Sequence, residues 1–241
     1  KSVAVGGTHG KTTVTALTTH LLNFAGKRMS AFVGGIAKNI NSNVIIGDEN
    51  DEVVVMEADE FDRSFLQLTP YISIVTSIDA DHLDIYGDEQ QLVEAFCQFA
   101  DKTMDDGVVI HSEYVELKTE RKSLTYGFDD ADVLAKDVRI EDSLTKFSVV
   151  TKEGLCLGDY EMQLYGRHNV MNALAAITAC MRLSVNLSVI REGLATFKGV
   201  QRRFDIRYKD DKVCYIDDYA HHPEEILATL KAVRNLFPDK E

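Results

Sequence analysis

The strongest chemical signal in the sequence is a glycine-rich turn that ends in a lysine and two threonines. Residues 6–13 read GGTHGKTT and directly follow a short apolar run. Glycines let successive backbone N–H groups turn inward around phosphate oxygens, and the N-terminus of a following helix adds partial positive charge. The Lys11 ammonium suits the outer phosphates, and the Thr12 hydroxyl suits Mg²⁺. The turn therefore predicts a phosphate-binding loop with the contact residues Gly7, Thr8, His9, Gly10, Lys11, Thr12 and Thr13.

The spacing of this turn departs from the general phosphate-loop pattern, G-x-x-x-x-G-K-[ST]. That pattern needs a glycine at position 5, where this sequence has Val5, so the loop is one residue short. A plain strand–helix turn is the alternative interpretation. The Lys-Thr-Thr run at the predicted start of a helix favours phosphate binding.

Acidic side chains follow two later strand-like runs. Glu57 ends one of them, and a carboxylate at the carboxyl end of a strand faces the crevice where α/β sheets bind ligands. Mg²⁺ prefers hard oxygen ligands, so Glu57 is a candidate metal ligand. The adjoining Asp59 and Glu60 are expected to lie in a solvated acidic loop. His82 lies in the acidic stretch 79–84 (DADHLD), and taken alone it is typical of a hydrogen-bonded surface histidine.

Two asparagines open an apolar helix in the second half of the chain. Asn169 and Asn172 are three residues apart, so their side chains share one helix face. An amide offers both a donor and an acceptor, which suits the edge of an adenine ring. Capping of the helix by Asn169 is the alternative.

Charged and aromatic residues also cluster after position 200. Arg202 and Arg203 are adjacent, a pattern typical of solvated side chains. Residues 217–223 (DDYAHHP) end a predicted strand and begin a helix, with proline at a position suited to a first turn. An ordinary helix cap by Asp218 or His222 explains this stretch equally well.

The elements that must position these residues alternate between strands and helices. Such alternation predicts an α/β fold with a mostly parallel sheet of the phosphate-loop type, flanked by helices. From 123 to 164 the runs are short and extended, which predicts a small antiparallel addition. The predicted strands are 2–5, 43–46, 53–57, 72–76, 108–111, 124–128, 147–151, 156–164, 203–208 and 213–217, and the predicted helices are 12–25, 88–104, 169–183, 188–197 and 223–237.

Composition excludes several classes of protein. The 241 residues carry a net charge of −13, which argues against a broad surface for nucleic acid or anionic membrane. The longest apolar runs fall far below the ~18 residues of a membrane span. Four cysteines without CxxC spacing predict reduced, buried thiols and a cytoplasmic location. The sequence begins at Lys1 rather than methionine, so it is expected to be a piece of a longer protein.

Six motifs along the chain resemble those of the Mur ligase family, ATP-dependent amide-bond formers of cell-wall synthesis. They are GTHGKTT, the EADE stretch that begins at Glu57, DHLD, GRHNVMN, RRFD and DDYAHHP, with the DHLDIY continuation specific to one branch. The resemblance implies a central ATPase domain over 1–200 and the first strand and helix of a Rossmann-like C-terminal domain over 201–241. It also implies that an N-terminal domain, which holds a UDP-sugar, and most of the C-terminal domain lie outside this sequence.

The resemblance implies a role for each motif residue. Thr12 and Glu57 would hold Mg²⁺ between the outer ATP phosphates, and His82 would help to hold a second Mg²⁺ near the accepting carboxylate. The catalytic set is then Lys11, Glu57 and His82. The remaining implied contacts are Asn169 and Asn172 on the adenine side, Arg203 on the phosphates, Asp218 on the nucleotide, and Tyr219 and His221 on the substrate side.

One departure from the wider family points to a particular branch. Several Mur ligases carry a carbamylated lysine about fifteen residues after the DHLD histidine, whereas here 94–99 read EAFCQF and the next lysine is Lys102. The resemblance is therefore strongest to the branch that joins L-alanine to UDP-N-acetylmuramic acid through an acyl phosphate. The alternatives are a related ligase that adds a tripeptide or a glutamate, and a nucleotide-binding module that is inactive as this fragment.

Overall fold

A ten-stranded sheet forms the centre of the computed structural model, which describes residues 1–61, 63–79 and 86–237. The strand order is β10-β9-β8-β7-β6-β5-β1-β4-β2-β3. The strands are β1 (Ser2–Gly6), β2 (Met29–Ala37), β3 (Ser42–Ile45), β4 (Val53–Glu57), β5 (Ile72–Val75), β6 (Val108–Ser112), β7 (Ser123–Gly127), β8 (Val133–Glu141), β9 (Leu144–Thr151) and β10 (Cys156–Met162).

Helices cover both faces of this sheet. On one face α1 (Lys11–Phe24) packs against α3 (Arg167–Arg182) and α4 (Leu187–Ala195), and on the other lies α2 (Glu89–Asp101). The second face also carries a 3₁₀ helix, Ser64–Gln67, whose Phe65 is buried against α2. The predicted mostly parallel, helix-covered α/β fold is confirmed.

Strands β1, β2, β4, β5, β6, β7 and β8 pair in parallel wherever they are neighbours. Continuous apolar runs such as Ile72–Val75 are buried along their whole length, as expected for a parallel sheet with both faces covered. The expected antiparallel addition holds only for β8, β9 and β10, and these strands continue the main sheet. Strand β7, also expected in that addition, is parallel.

The central strand β1 marks the point where the chain changes direction across the sheet. The chain places β2, β3 and β4 on one side of β1 and then crosses to the other side, where β5 to β10 lie. In open α/β sheets, ligands bind outside the carboxyl ends of the strands at such a switch point. The glycine-rich turn, the end of β4 and the end of β5 all lie there.

The last part of the chain forms a small unit against this edge. It contains the antiparallel pair β11 (Asp205–Lys209) and β12 (Cys214–Asp217), followed by α5 (Pro223–Leu236). A small apolar cluster holds it, in which the ring of Tyr165 lies 5.7 Å from the ring of Phe204. The predicted strand–helix opening of a second unit is therefore present.

The connection into this unit, residues 199–204, is hereafter the hinge segment. It hydrogen-bonds to the end of β2, since the Gln201 N–H donates to the Ile36 carbonyl at 2.9 Å and the Lys38 N–H donates to the Gly199 carbonyl at 3.0 Å. Within it, Arg202 and Phe204 have φ values of 59° and 46°. These left-handed conformations are unfavourable for residues with a Cβ, so the surrounding hydrogen bonds must hold them in place.

All four cysteines are free. Cys180 is fully buried as expected, whereas Cys156 is exposed near the edge of the sheet, so the prediction of a buried thiol is wrong there. No helix in the described ranges is both long enough and apolar enough to span a bilayer.

Candidate active site

The glycine-rich turn connects β1 to α1 and depends on two left-handed glycines. Gly7 has φ 127° and Gly10 has φ 84°. A Cβ on Gly7 would lie 2.9 Å from the Ser77 nitrogen, and one on Gly10 would lie 2.6 Å from the Asn172 Oδ1. Only glycine fits both the backbone conformation and the space at these positions. Because α1 begins at Lys11, its first N–H groups face the turn without intrahelical acceptors.

The segment after β5 braces this turn through Ser77. The Ser77 carbonyl accepts from the Thr8 N–H at 3.0 Å, and its Oγ accepts from the His9 N–H at 3.0 Å. The Thr8 Oγ1 in turn accepts from the Asp79 N–H at 3.0 Å. Thr76 also donates to the His9 carbonyl. These braces were not predicted, since no local pattern marks Thr76 or Ser77, and they follow only from β5 lying beside β1.

Glu57, at the carboxyl end of β4, contacts the start of α1. Its Oε1 accepts from the Thr12 hydroxyl at 3.1 Å, and its Oε2 accepts from the Gly34 N–H at 2.8 Å. A Cβ on Gly34 would lie 2.7 Å from the Glu57 Cδ, so the absence of a side chain there makes room for the carboxylate. Burial raises the pKa of Glu57, and the bonds from Gly34 and Thr12 oppose that rise.

This pair of oxygens fits a magnesium ion that is held mainly by phosphates. Within the described residues, no cluster of three or more His, Cys, Asp and Glu side chains is able to hold a metal alone. Mg²⁺ in nucleotide sites takes one or two protein oxygens and completes its shell with phosphate and water. The Thr12 hydroxyl and the Glu57 carboxylate supply such oxygens beside the phosphate-binding turn. His82, with its neighbours Asp81 and Asp84, lies outside the described residues.

Lys11 is held by a buried carboxylate. Its Nζ lies 2.8 Å from both oxygens of Glu60. The Glu60 side chain is 0% exposed, so the expectation of a solvated residue is wrong, while Asp59 is exposed as expected. The Glu60 carbonyl accepts from the buried Tyr86 hydroxyl at 2.6 Å, which draws this segment into the core beneath α2. Burial raises the pKa of Glu60, and the Lys11 ammonium opposes that rise.

The two asparagines of α3 lie together, as their spacing predicts. The Asn172 amide donates to the Asn169 Oδ1 at 3.1 Å, and the Asn169 amide donates to the Tyr165 carbonyl at 2.8 Å. Helix α3 begins at Arg167 with Gly166 as its cap, so the capping alternative for Asn169 is wrong. Both side chains are buried and line a cavity beside Gly10.

Glu225 connects the turn to the second unit, although the sequence analysis did not single it out. Its Oε1 lies 3.1 Å from the His9 Nδ1 and 3.9 Å from a guanidinium nitrogen of Arg203, and its Oε2 accepts from the His221 N–H at 3.1 Å. Burial raises the pKa of Glu225, but the bonds from His9 and the His221 N–H and the charge of Arg203 outweigh it and lower the pKa to about 2. The spacing of Glu225 three residues after the helix cap His222 is the capping-box signal that could have found it.

Asp218 holds the hinge segment. Its carboxylate accepts from the Phe204 N–H at 2.8 Å, from the Ala220 N–H at 2.8 Å and from the Thr229 hydroxyl at 3.2 Å. The Phe204 bond fixes the strained backbone next to Arg203. His222 caps α5, so the capping alternative holds for His222 and is wrong for Asp218.

Tyr219 and His221 lie at the outer rim of the site. Tyr219 is half exposed, and the Arg202 guanidinium stacks over its ring at 4.7 Å. The ring of His221 lies 5.3 Å from that of Tyr219. Both side chains border the space in front of Lys11 and Glu57.

Two cavities meet at the turn. One of about 470 Å³ runs from His9 and Thr13 past the two asparagines toward Tyr114, a volume within the range of small-molecule sites. The other, of about 240 Å³, lies between Lys11, Glu57 and the rim. The residues that border both are Gly10, Thr12, Arg203 and Glu225. The arrangement suits an elongated anion whose charged end lies at the turn and whose less polar end fills the larger cavity.

Comparison with known protein families decides the assignment. Residues 5–180 match the Mur ligase middle domain, and residues 202–241 match the Mur ligase glutamate ligase domain. The chain belongs to the Mur ligase family. Within this family, it is 42% identical over 239 residues to the UDP-N-acetylmuramate–L-alanine ligase of Christiangramia forsetii. The aligned region covers 99% of this chain and 52% of that protein.

Solved Mur ligase structures are also similar. The UDP-N-acetylmuramate–alanine ligase of Thermotoga maritima superimposes with a TM-score of 0.88 at 32% identity, covering 99% of this chain and 55% of that one. The UDP-N-acetylmuramate:L-alanyl-γ-D-glutamyl-meso-diaminopimelate ligase of Neisseria meningitides gives a TM-score of 0.74 at 25% identity, covering 83% of this chain and 67% of that one. The chain spans about half the length of the curated relatives it matches.

Proposed function

We propose that these residues are the ATP-binding part of a cytoplasmic ligase that joins L-alanine to the lactyl carboxylate of UDP-N-acetylmuramic acid, converting ATP to ADP and phosphate. The observation that carries the proposal is the convergence of Lys11, Thr12 and Glu57 on one phosphate-binding turn in a Mur ligase chain. The identity of 42% to an alanine-adding relative supports the choice of amino acid.

The chemistry explains why such a ligase needs ATP. A carboxylate is a poor acyl donor because its leaving group would be oxide. Transfer of the γ-phosphoryl group makes an acyl phosphate, and the amine of alanine then displaces phosphate through a tetrahedral intermediate. The protein needs no covalent nucleophile, since catalysis of phosphoryl transfer depends on positioning and on neutralising charge.

The described residues divide this work. The N–H groups at the start of α1 and the Lys11 ammonium would bind the outer phosphates, and Arg203 would approach them from the hinge segment. The Thr12 hydroxyl and Glu57 would hold Mg²⁺, which when bound neutralises phosphate charge. Asn169 and Asn172 would face the adenine in the larger cavity.

The remaining roles belong to residues of this chain on the substrate side and to parts of the protein beyond it. Tyr219 and His221 would face the accepting substrate at the rim, and His82 would hold a second Mg²⁺. The UDP-sugar and alanine pockets are proposed to be completed by further domains of the same protein. The isolated 241-residue chain is accordingly expected to bind Mg·ATP weakly and to turn over almost nothing.

An amino-acid panel tests this proposal. ADP release by the complete protein, with UDP-N-acetylmuramic acid and Mg²⁺, is expected with L-alanine and to be much slower with glycine, L-serine or the tripeptide. Release that requires the tripeptide would assign the chain to the recycling branch. Binding of ATP without acceptor-dependent release would support a nucleotide-binding module instead.

A further inference from the structure

The end of β4 and the segment after it hold two consecutive residues of α1 through two carboxylates. Glu57 accepts from Thr12, and Glu60 contacts Lys11. The first contact is the candidate metal site, whereas the second has no assigned role. The Lys11 side chain is 13% exposed and Glu60 is 0% exposed, so this ion pair lies at the buried base of the turn.

Burial determines what Lys11 is able to do when a phosphate arrives. A carboxylate removed from water needs a charge partner, and the Lys11 Nζ is 2.8 Å from both of its oxygens. If Lys11 swung away to a phosphate, Glu60 would be left charged in the interior. The ammonium has three N–H donors, two of which point to Glu60. The third remains for an oxygen on the side of the turn.

The backbone of Glu60 is also fixed. Its carbonyl accepts from the Tyr86 hydroxyl at 2.6 Å and from the Arg63 N–H at 3.0 Å. Tyr86 is buried in the apolar cluster that includes Phe96 and Phe99 of α2. The packed core beneath α2 thus sets where Glu60 lies, and Glu60 sets where the ammonium lies.

We propose that Glu60 is a positioning residue for phosphoryl transfer, one that holds the Lys11 ammonium at a fixed place beside the outer phosphates. The inference rests on the proposed function. A charge partner that is already in place stabilises developing negative charge without reorganisation, which is the main electrostatic advantage of such sites. Glu60 acts only through Lys11 and contributes to the transfer step more than to nucleotide affinity.

The test is Glu60→Gln in the complete protein, measured for kcat and for the Kd of Mg·ATP by calorimetry. We expect kcat to fall by about 10-fold or more because the ammonium loses its fixed position. The Kd of Mg·ATP is expected to equal the wild-type value or to fall below it, because a negative charge near the phosphates has been removed. In a Lys11→Ala background, Glu60→Gln is expected to cause no further loss of kcat.

A matched control lies at the other end of the same strand. Glu52 directly precedes β4 and pairs with Lys27 at 3.1 Å on the surface, so Glu52→Gln removes the same kind of ion pair away from the site. It is expected to leave both kcat and Kd unchanged. If Glu60→Gln fails to fold, Glu60→Asp keeps the charge and retracts the carboxylate by one methylene. For Glu60→Asp we expect kcat to fall while the Kd of Mg·ATP stays within about twofold of the wild-type value.

Three results would overturn the inference. The Glu60 variant that folds could keep the wild-type kcat, its Kd for Mg·ATP could rise by the same factor as kcat falls, or its loss of kcat could add to the loss caused by Lys11→Ala. Failure of the proposed function is recognised separately. In that case the wild-type protein itself would not bind Mg·ATP or would not release ADP with the acceptor, whatever the Glu60 variants do.

Discussion

Removing the Lys11 side chain should destabilise the protein and not only inactivate it. Lys11→Ala leaves the Glu60 carboxylate, which is 0% exposed, without its charge partner. Breaking a buried ion pair from one side costs about 3–5 kcal/mol. For a domain of this size, each kcal/mol shifts Tm by about 2–4 °C, so a fall of roughly 6–20 °C is expected.

A second substitution separates this mechanism from simple loss of packing. In the double variant Lys11→Ala/Glu60→Gln, the buried group is a neutral amide, which costs only about 1–3 kcal/mol when it lacks partners. The double variant should therefore be more stable than Lys11→Ala alone. Lost methylenes, by contrast, would affect both variants equally.

Thermal unfolding of the wild type, both variants and Lys27→Ala measures these differences. The Lys27–Glu52 pair lies at the surface, where such pairs contribute about 0–1 kcal/mol, so Lys27→Ala should change Tm very little. A Lys11→Ala protein with wild-type Tm, or a double variant as unstable as the single one, would refute the assignment of Glu60 as a charged group that depends on Lys11.

Three further substitutions test other parts of the site. Gly34→Ala places a Cβ 2.7 Å from the Glu57 Cδ, so the Mg²⁺ concentration for half-maximal activity should rise several-fold. Gly154→Ala strains a left-handed turn (φ 83°) in the β9–β10 connection but meets no atom within 4 Å, so it should leave that concentration unchanged and serves as a control for backbone strain alone. Gly10→Ala adds a Cβ to a residue with φ 84° and should weaken Mg·ATP binding by about 10-fold or more, as read by calorimetry. Glu225 has a pKa of about 2, against 4.5 when unperturbed, so its stabilising contribution is complete above pH 4.5 and is lost as the pH falls toward 2. Glu225→Gln should accordingly be less stable than wild type at pH 6, and equal unfolding temperatures at that pH would contradict the role of this carboxylate.

The site residues whose positions depend on the local sequence alone were predictable. The turn at 6–13 needs glycines at fixed positions, and a strand that ends in Glu57 places that carboxylate at the edge where ligands bind. The three-residue spacing of Asn169 and Asn172 correctly predicted that their side chains meet. In each case, one element of secondary structure determines the geometry.

The burial and contacts of site residues that depend on elements distant in the sequence were not predictable. Glu60 looks like its exposed neighbour Asp59 in the sequence, and only the packing of Tyr86 beneath α2 buries it. The capping-box spacing marks Glu225 as a helix-cap residue, but its contact with His9, like the contacts of Ser77, joins the turn to an element far along the chain. Their positions depend on which strands become neighbours, and hydrophobic periodicity does not specify that.

Two strands were missed for related reasons. β2 includes Gly34 and Gly35, which weaken the sequence pattern of a strand, and its other residues alternate between buried and exposed positions only in part. β8 ends in an exposed charged half that reads as a loop, although its first residues are buried in the sheet. β2 pairs with both β3 and β4, and β8 pairs with both β7 and β9, so each strand is held by its place in the sheet.

The most direct test of the central claim is a structure of the complete protein with Mg²⁺ and a non-hydrolysable ATP analogue. The outer phosphates are predicted to lie against Lys11 and the first N–H groups of α1, with the metal on the Thr12 hydroxyl and Glu57. A triphosphate bound elsewhere, or a metal that contacts neither Thr12 nor Glu57, would contradict the assignment of this turn as the site of phosphoryl transfer.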